Sequence, residues 1–363
     1  MVIKKLIAIS VVFALVAGAA FAVDLGGEVF GTVDVARKQG TADATLFDNF
    51  GMGRVRLEGS GEAEIGIGTI GGWMRLDLSG AATGQGKAWW QPIEQLRIQL
   101  GVNSDGEFDT SHIGRYGFYA QANEINDLVN SDGNWGGTSY DNAIFGGYSG
   151  FNFALIITPM DGVSINIALP TDKVAGVDSQ AAATFKEAFF QVNYNADFGA
   201  IHVTYQGLNS SSEMGAFYAS AFLGSLVENL GLEVGLRFGI AAENAGKPPL
   251  GIALGAKYDV SEQFGVKLRS IFQIPMESGN KVAIRVDLLP YYAINESVTA
   301  FLDAGIYIPG EKSFAWHVAP YVRIGSEWGA GFYAGLQFAG SKIAPATEQT
   351  TNLSIPIGII AKF

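Results

Sequence analysis

Apolar residues recur at every second position along most of this chain, and this period limits its possible folds more than any other feature. In residues 351–363, six apolar side chains share one parity, and the last of them is Phe363. Successive side chains of a β-strand point to opposite faces, so these six lie on one face of a strand. The same alternation recurs in residues 96–102, 282–288 and 298–308. The pattern predicts an all-β chain whose strands each have one uniformly apolar face.

The composition excludes several classes of protein. The chain has 363 residues, no cysteine and a formal net charge of −12. A nucleic-acid-binding protein needs a basic surface, and neither a disulfide scaffold nor a cysteine metal site can form without cysteine. Aromatic residues make up 12% of the chain, which is too many for a disordered protein. Beyond the N-terminus there is no run of about 18 apolar residues, which disfavours a helical membrane protein.

The N-terminal segment 1–22 is predicted to be an export signal. It has lysines at positions 4–5, an apolar core over residues 6–20 and a small-x-small pattern at 20–22, as signal peptidase requires. The alternative is a membrane anchor, but about 15 apolar residues are short for a helical span. We therefore expect cleavage after Ala22 and a single mature domain over residues 23–363.

The lengths of the strands and of their connections distinguish a membrane barrel from a soluble sandwich. The alternating segments are about 9 to 13 residues long, which is close to the length of a tilted transmembrane strand. Tight turns alternate with longer loops, as in outer-membrane barrels. We predict a transmembrane antiparallel up-and-down β-barrel of about 16–18 strands, with 18 favoured. The segments 62–79 and 143–158 decide between the two numbers.

The apolar face of each strand is expected to contact lipid and the opposite face to line the lumen, because a charge at mid-depth on the lipid side costs about 2–4 kcal/mol. Tyrosines near strand ends are expected in an interfacial aromatic girdle: Tyr194, Tyr258, Tyr291, Tyr292 and Tyr321. The basic residues that face inward by this rule are Arg54, Arg56, Arg75, Arg97, Arg237, Lys257, Lys267, Arg269, Arg285 and Arg323. The acidic ones are Glu28, Asp34, Glu58, Glu62, Glu64, Asp77, Glu187, Glu233, Asp259, Asp287 and Asp303. Neighbours such as Arg285 and Asp287, or Arg75 and Asp77, can pair and brace the wall or act on solutes, and both readings stay open.

The export signal, the alternating hairpins and the terminal aromatic residue together resemble the outer-membrane β-barrel porins of diderm bacteria. In that family the assembly signal ends in an aromatic residue, with a glycine five positions before it and apolar residues at alternate positions. Gly358, Ala361 and Phe363 match this pattern, whereas Pro356 stands where a polar residue is usual. The resemblance covers most of the mature chain. It implies an outer-membrane location, contact with membrane lipid, recognition by the outer-membrane assembly machinery and, as is common in the family, a homotrimer.

The longest predicted connection is residues 103–142, which follows about the fifth strand and carries a net charge of −6. In porins a long loop at this place folds inward and sets acidic residues opposite arginines on the wall, so the resemblance implies the same constriction here. The acidic residues expected there are Asp105, Glu107, Asp109, Glu124 and Asp127, and the opposing cluster is Arg54, Arg56, Arg75 and Arg97. The loop lacks the Pro-Glu-Phe-Gly-Gly motif of several porins, and an external or capping position is the alternative.

The expected function is that of an outer-membrane porin for passive diffusion of small hydrophilic solutes and ions, by size exclusion and the field across the constriction. A substrate-selective porin, for organic acids or sugars, is the alternative within transport, and a surface adhesin or structural barrel is the alternative outside it. An enzyme is not expected, since His112, His202 and His317 complete neither a catalytic triad nor a metal-ligand spacing. No cofactor and no nucleic-acid partner are expected. The acidic loop favours a weak cation preference, whereas an outward loop would leave the wall arginines to favour anions.

Overall fold

The computed structural model describes residues 22–77, 83–103, 108, 113, 150–170, 186–208, 210–279, 281–310, 313–325, 330–342 and 348–362. The segment 1–21, nearly all of the 103–142 loop and Phe363 lie outside these residues. The cleavage site therefore stays a prediction. In the described ranges, no helix has both the length and the apolar character to cross a membrane.

The described part of the chain is built from nineteen strands. Their bounds are β1 Ala22–Gln39, β2 Thr45–Ile65, β3 Gly68–Asp77, β4 Thr83–Ile93, β5 Leu96–Asn103, β6 Gly150–Met160, β7 Val163–Pro170, β8 Phe189–Ala196, β9 Gly199–Gly207, β10 Glu213–Val227, β11 Leu230–Ala241, β12 Leu250–Asp259, β13 Phe264–Ile274, β14 Ala283–Asn295, β15 Val298–Gly310, β16 Ser313–Gly325, β17 Gly331–Gly335, β18 Gln337–Lys342 and β19 Thr350–Lys362. All of them belong to one sheet, and every pairing in it is antiparallel.

The order of pairing closes this sheet on itself. From β1 to β16 each strand pairs with the next one along the chain. β17 and β18 lie end to end, because both pair with β16 on one side and with β19 on the other. β19 then pairs with β1, from Glu28 opposite Lys362 to Gln39 opposite Asn352. The predicted all-β, antiparallel up-and-down architecture is confirmed, and the nineteen described strands occupy eighteen positions, since β17 and β18 share one.

The turn between β2 and β3 differs from the sequence expectation. The alternation suggested a break near residue 61 followed by a strand over 62–79, but β2 continues to Ile65 and β3 begins at Gly68. Several glycines in this stretch permit a turn. The turn forms at residues 66–67, where Gly68 has a φ of 103°, in the left-handed region that glycine adopts readily.

The two ends of the barrel differ in their connections. One end, the turn end, carries short connections at 66–67, 94–95, 161–162, 197–198, 228–229, 260–263 and 296–297. Two of these turns contain a residue with positive φ, Gly162 at 76° and Asn229 at 62°, as tight hairpin turns require. The other end, the loop end, carries the longest connections, including 104–149 and 171–188, although residues 311–312 alone join β15 to β16 there. This asymmetry follows the expectation from the sequence.

Apolar side chains lie on the outside of the barrel and polar ones on the inside, which reverses the arrangement of a soluble protein. In β8 the buried Gln191, which is 1% exposed, stands between Phe190 and Val192, which are 44% and 48% exposed. In β11 the buried Glu233 likewise stands between the exposed Leu232 and Val234. An outward apolar band around a polar interior is typical of a barrel that crosses a membrane.

Of the five tyrosines predicted in the aromatic girdle, three lie on the outer face, as a girdle requires, and the prediction is wrong for the other two. Tyr194, Tyr258 and Tyr292 are exposed on the outer face near the turn end. Tyr291 and Tyr321 instead have the lumen-facing parity of their strands, and Tyr321 is buried. Adjacent tyrosines in a strand must point to opposite faces, so only one of Tyr291 and Tyr292 can meet lipid.

Candidate functional site

The inner wall of the barrel has a charged part and an uncharged part. Charged side chains face the lumen from β2–β5 and from β10–β16. β6–β9, in contrast, contain no Asp, Glu, Lys or Arg at any position. A solute in the lumen would therefore meet charges on one side and amides and hydroxyls on the other.

On β2 and β3, arginines and carboxylates pair across the two strands. Arg75 Nε lies 2.6 Å from Glu58 Oε1, and Arg56 lies 3.6 Å from Asp77 Oδ2 and 3.7 Å from Glu58 Oε1. The sequence spacing suggested Arg75 with Asp77, but the register sets Arg75 directly opposite Glu58 and Arg56 opposite Asp77. Residues directly opposite on one face approach more closely than residues two apart on one strand. Two of the predicted wall arginines are thus ion-paired.

Next to these pairs, two tryptophans that the sequence analysis did not place in the lumen support cations. The Arg97 guanidinium lies 4.4 Å from the ring centre of Trp89, and that of Arg75 lies 5.0 Å from the ring centre of Trp73. Lys87 Nζ lies 6.0 Å from the same Trp73 ring. Lys87 was absent from the predicted lumen set, although it shares the parity of Trp89. The adjacent Trp89 and Trp90 obscured that parity, because each looks equally suited to the lipid side.

On β10–β13 three more of the predicted cations line the wall, and two of them are paired with carboxylates. Arg237 forms an ion pair with Glu213, a carboxylate that the parity analysis did not include. Lys257 Nζ lies 3.0 Å from Asp259 Oδ2. Lys267 of β13 stands directly opposite Lys257 of β12, so the two lysines share one level of the wall.

On β14–β16 a second group of charges surrounds a glycine. Arg285 Nε lies 2.8 Å from Asp287 Oδ2, as their spacing in the sequence indicates. His317 Nε2 lies 2.9 Å from Asp303 Oδ1. In the register, Gly305 stands between Asp287 and His317, and its missing side chain leaves room for both.

Nearer the turn end, an arginine lies on a row of aromatic rings. The Arg323 guanidinium is 5.0 Å from the ring centre of Phe301. Phe301 and Tyr321 stack with ring centres 4.7 Å apart and an interplanar angle of 7°, and Tyr291 lies 6.2 Å from Phe301 on the other side. The Tyr291 hydroxyl donates a hydrogen bond to Asp259. The aromatic side chains thus line the wall between Asp259 of β12 and Arg323 of β16.

The uncharged part of the wall is a network of amides centred on Gln191. Its Oε1 accepts from Asn166 Nδ2 at 2.8 Å and from Asn193 Nδ2 at 3.1 Å, and its Nε2 donates to Thr204 Oγ1 at 3.2 Å. His202 Nδ1 lies 2.8 Å from Asn193 Oδ1. These bonds satisfy both polar atoms of the buried Gln191 side chain, whose desolvation would otherwise destabilise the wall.

Two residues of the long loop lie against the inner wall. The Phe108 ring packs on Phe189 with ring centres 5.3 Å apart, and its carbonyl accepts from Gln191 Nε2 at 3.0 Å. Ile113 N–H donates to Glu233 Oε2 at 3.3 Å, and Arg269 donates to the Ile113 carbonyl. At these two points the loop is inside the barrel, as expected. Its predicted acidic residues, Asp105, Glu107, Asp109, Glu124 and Asp127, lie outside the described residues.

The other predicted residues are placed by the strand register. Arg54 of β2 stands opposite Phe30 of β1. Gly358 stands between Thr32 of β1 and Tyr333 of β17, and Ala361 is exposed on the outer face. The terminal aromatic of the assembly signal, Phe363, lies beyond the described part, so this signal stays a prediction.

A metal centre finds no support in the described ranges, where no three His, Asp or Glu side chains come together to hold a metal ion. His202 contacts an amide and His317 a carboxylate, so each has a polar neighbour in the wall.

The chain was compared with known proteins and solved structures. No protein-family model matches it, and no curated protein sequence matches it. The outer membrane channel DcaP of Acinetobacter baumannii superposes with a TM-score of 0.55 at 9% identity, covering 95% of this chain and 98% of that one. Pseudomonas aeruginosa OpdQ gives 0.56 at 7% identity, with 94% and 98% covered. An anion-selective porin from Comamonas acidovorans gives 0.52 at 14% identity, with 94% and 99% covered. The chain therefore has the fold of the outer-membrane β-barrel porins.

Proposed function

We propose that this protein is an outer-membrane porin, a water-filled channel for passive diffusion of small hydrophilic solutes and ions. One observation carries the proposal: the sheet closes on itself with apolar side chains outward and charged side chains inward. The outer band fits membrane hydrocarbon, and the inner wall fits water and ions. The porin fold of the compared structures supports the same function and an outer-membrane location.

Selection in such a channel depends on its width and on the field across it. Phe108 and Ile113 bring the long loop to the inner wall, which narrows the lumen on the side of β8–β13. Ion pairs such as Arg75–Glu58 and Arg285–Asp287 hold the wall charges in fixed places. Fixed charges of both signs orient a polar solute without binding it tightly.

A weak cation preference follows from the loop. Its net charge is −6, and Glu107 and Asp109 are the sequence neighbours of Phe108, which lies against the wall. Acidic groups inside a lumen raise the local concentration of cations. Among the compared structures one is described as anion-selective, so a measured sign is needed for this chain.

A second candidate is a porin selective for organic acids. Arg97 and Lys87 stand on the rings of Trp89 and Trp73, and a ring face stabilises a cation while leaving its charge in place. The planar guanidinium of Arg97 can bind a carboxylate through two hydrogen bonds, and the ammonium of Lys87 adds a second positive charge. Competition experiments with small carboxylates in the conductance assay described below distinguish this candidate from general diffusion.

Two kinds of partner are proposed for this porin, further copies of the chain and the outer-membrane assembly machinery. The outward face of β2–β4 carries five glycines, which make a flat surface where another copy could pack: Gly59, Gly61, Gly72, Gly84 and Gly86. A homotrimer is proposed on this ground, and assembly through the outer-membrane machinery is proposed from the terminal strand. We propose no enzymatic activity and no cofactor. Cross-linking in native membranes tests the trimer, which is refuted if only monomer is recovered.

The test of the channel is single-channel recording of the refolded mature protein in a planar bilayer, with the reversal potential measured under a salt gradient. Stable conductance steps are expected, with a cation-selective sign. An anion-selective sign would refute the role given to the acidic loop. Correctly folded protein without conductance would refute the channel and favour a surface adhesin or structural barrel.

A further inference from the structure

One residue of the long loop is held by both polar groups of its main chain. The Ile113 N–H donates to Glu233 Oε2 at 3.3 Å, and Arg269 Nη2 donates to the Ile113 carbonyl. All three residues are 3% exposed. The wall therefore holds Ile113 through its main-chain N–H and C=O groups, which every amino acid except proline has.

The register of β11–β13 shows why the grip is possible. Glu233 of β11 stands opposite Gly255 of β12, and Gly255 stands opposite Arg269 of β13. The two long side chains thus flank a position that has no side chain of its own. We call this set of three, Glu233, Gly255 and Arg269, the peptide cradle.

The peptide cradle has a fixed polarity. A carboxylate only accepts hydrogen bonds and a guanidinium only donates them, so Glu233 can bind an N–H and Arg269 a carbonyl but not the reverse. Hydrogen bonds with an ionised partner are about twice as strong as neutral ones. The cradle is therefore both strong and directional.

A second anchor lies five residues earlier in the loop. The Phe108 ring packs against Phe189, Ala154 and Ala168, and its carbonyl accepts from Gln191. This anchor belongs to the uncharged part of the wall and relies on apolar contact. The two anchors differ in chemistry, so each can be removed without touching the other.

We propose that Glu233 and Arg269 are positioning residues, which fix the long loop at Ile113 and thereby set the width of the channel. The proposal rests on the proposed porin function, because width matters only if solutes pass. The alternative is a wall-bracing role, in which the two charges would attract each other and stabilise the barrel without holding the loop.

The charge-swapped double variant E233R/R269E separates these roles. It keeps one acidic and one basic group on the same two strands, so a bracing pair would survive. Its polarity toward Ile113 is reversed, so the peptide grip is lost. A second comparison uses E233Q, which retains an oxygen acceptor for the N–H, against E233L, which does not.

The chain contains no cysteine, so Ile113→Cys introduces a unique thiol at the held residue. Labelling of this thiol by a maleimide from the aqueous side is expected to be slow in the otherwise unchanged protein and in E233Q. It is expected to be fast in E233L and in E233R/R269E. The control is E213R/R237E, which swaps the charges of a different lumen ion pair between β10 and β11. This variant should leave the thiol protected.

Single-channel recording of the same variants without the added cysteine gives the second measurement. A larger unit conductance is expected in E233L and E233R/R269E than in E233Q. If the swapped variant folds, as judged by circular dichroism, and keeps both the slow labelling and the original conductance, the positioning role is wrong. If the labelling behaves as expected but no variant conducts, the channel function fails while the cradle stands.

Discussion

Substituting Gly71 by alanine tests the packing of the indole wall. A Cβ at residue 71 would lie 2.7 Å from Trp89 Nε1 and still closer to Cζ2 and Cε2 of the same ring, whereas real Cβ contacts stay beyond 3.0 Å. Trp89 therefore lies flat over Gly71 on the inner wall. The substitution must displace the Trp89 ring and thereby disrupt its contact with the Arg97 guanidinium.

The size of the effect follows from three contributions. Overpacking of this kind costs about 1–3 kcal/mol. The displaced cation–π contact costs about 0.5–1 kcal/mol more. Replacing glycine by alanine within a strand returns roughly 0.5–1 kcal/mol, because alanine loses less backbone freedom on folding. The second and third contributions are equal in size and opposite in sign, so the expected net loss for G71A is about 1–3 kcal/mol, that of the overpacking alone.

The neighbouring residue provides a matched control. A Cβ on Gly72 would meet nothing closer than the Lys87 carbonyl oxygen at 3.6 Å, an ordinary contact, and it points to the opposite face. In the monomer, G72A should therefore be as stable as the unchanged protein or slightly more stable. Equilibrium unfolding in denaturant, in lipid vesicles, measures both variants through the shift of the midpoint. If G71A is no less stable than G72A, or if adding W89A fails to remove the difference, the packing argument is wrong.

Three further predictions concern charge and assembly. Leu254→Lys places a charge on the lipid face of β12 and should destabilise the barrel by about 2–4 kcal/mol in vesicle unfolding, while L254M should not; equal stability of the two would contradict the assigned faces. Arg75→Met removes one positive charge beside the Glu58 carboxylate, so the reversal potential should shift toward cations, whereas R75K should keep the original value. Deleting Phe363 should lower the yield in the outer membrane without preventing refolding into detergent, and an unchanged yield would remove it from the assembly signal.

The strands could be predicted from the sequence because the alternation of apolar and polar residues within each strand identifies its two faces. The alternation around Leu232, Glu233 and Val234 is visible without knowing any neighbour. It fails where both adjacent residues suit either face, as with Tyr291 and Tyr292 or Trp89 and Trp90. It also fails at the β2–β3 turn, since glycines on both sides of the chosen turn allow others.

The contacts of the wall could not be predicted in the same way, because they depend on register. Arg75 has an acidic neighbour at Asp77, yet the carboxylate beside it is Glu58, seventeen residues earlier. The peptide cradle was even harder to predict from the sequence. Glu233 and Arg269 come together only because Gly255 lies between them in the sheet, and both bind Ile113, which is more than a hundred positions away in the sequence. An odd or even position in a strand predicts which face a side chain occupies, but only the register between strands determines which residue it contacts.

The pairing of β1 with β19 has a consequence for when the barrel can form. It joins Glu28 to Lys362, which are 362 − 28 = 334 positions apart. Closing a loop of that length costs only about 3 kcal/mol more than closing one of ten residues, so the entropy of closure is not the obstacle. Until the last strand has been synthesised and exported, however, both edges of the sheet carry unpaired N–H and C=O groups, which hydrocarbon does not tolerate and which other chains can capture. Entry into the membrane and closure of the ring must therefore proceed together, and the chain must be kept apart from its own copies until they do.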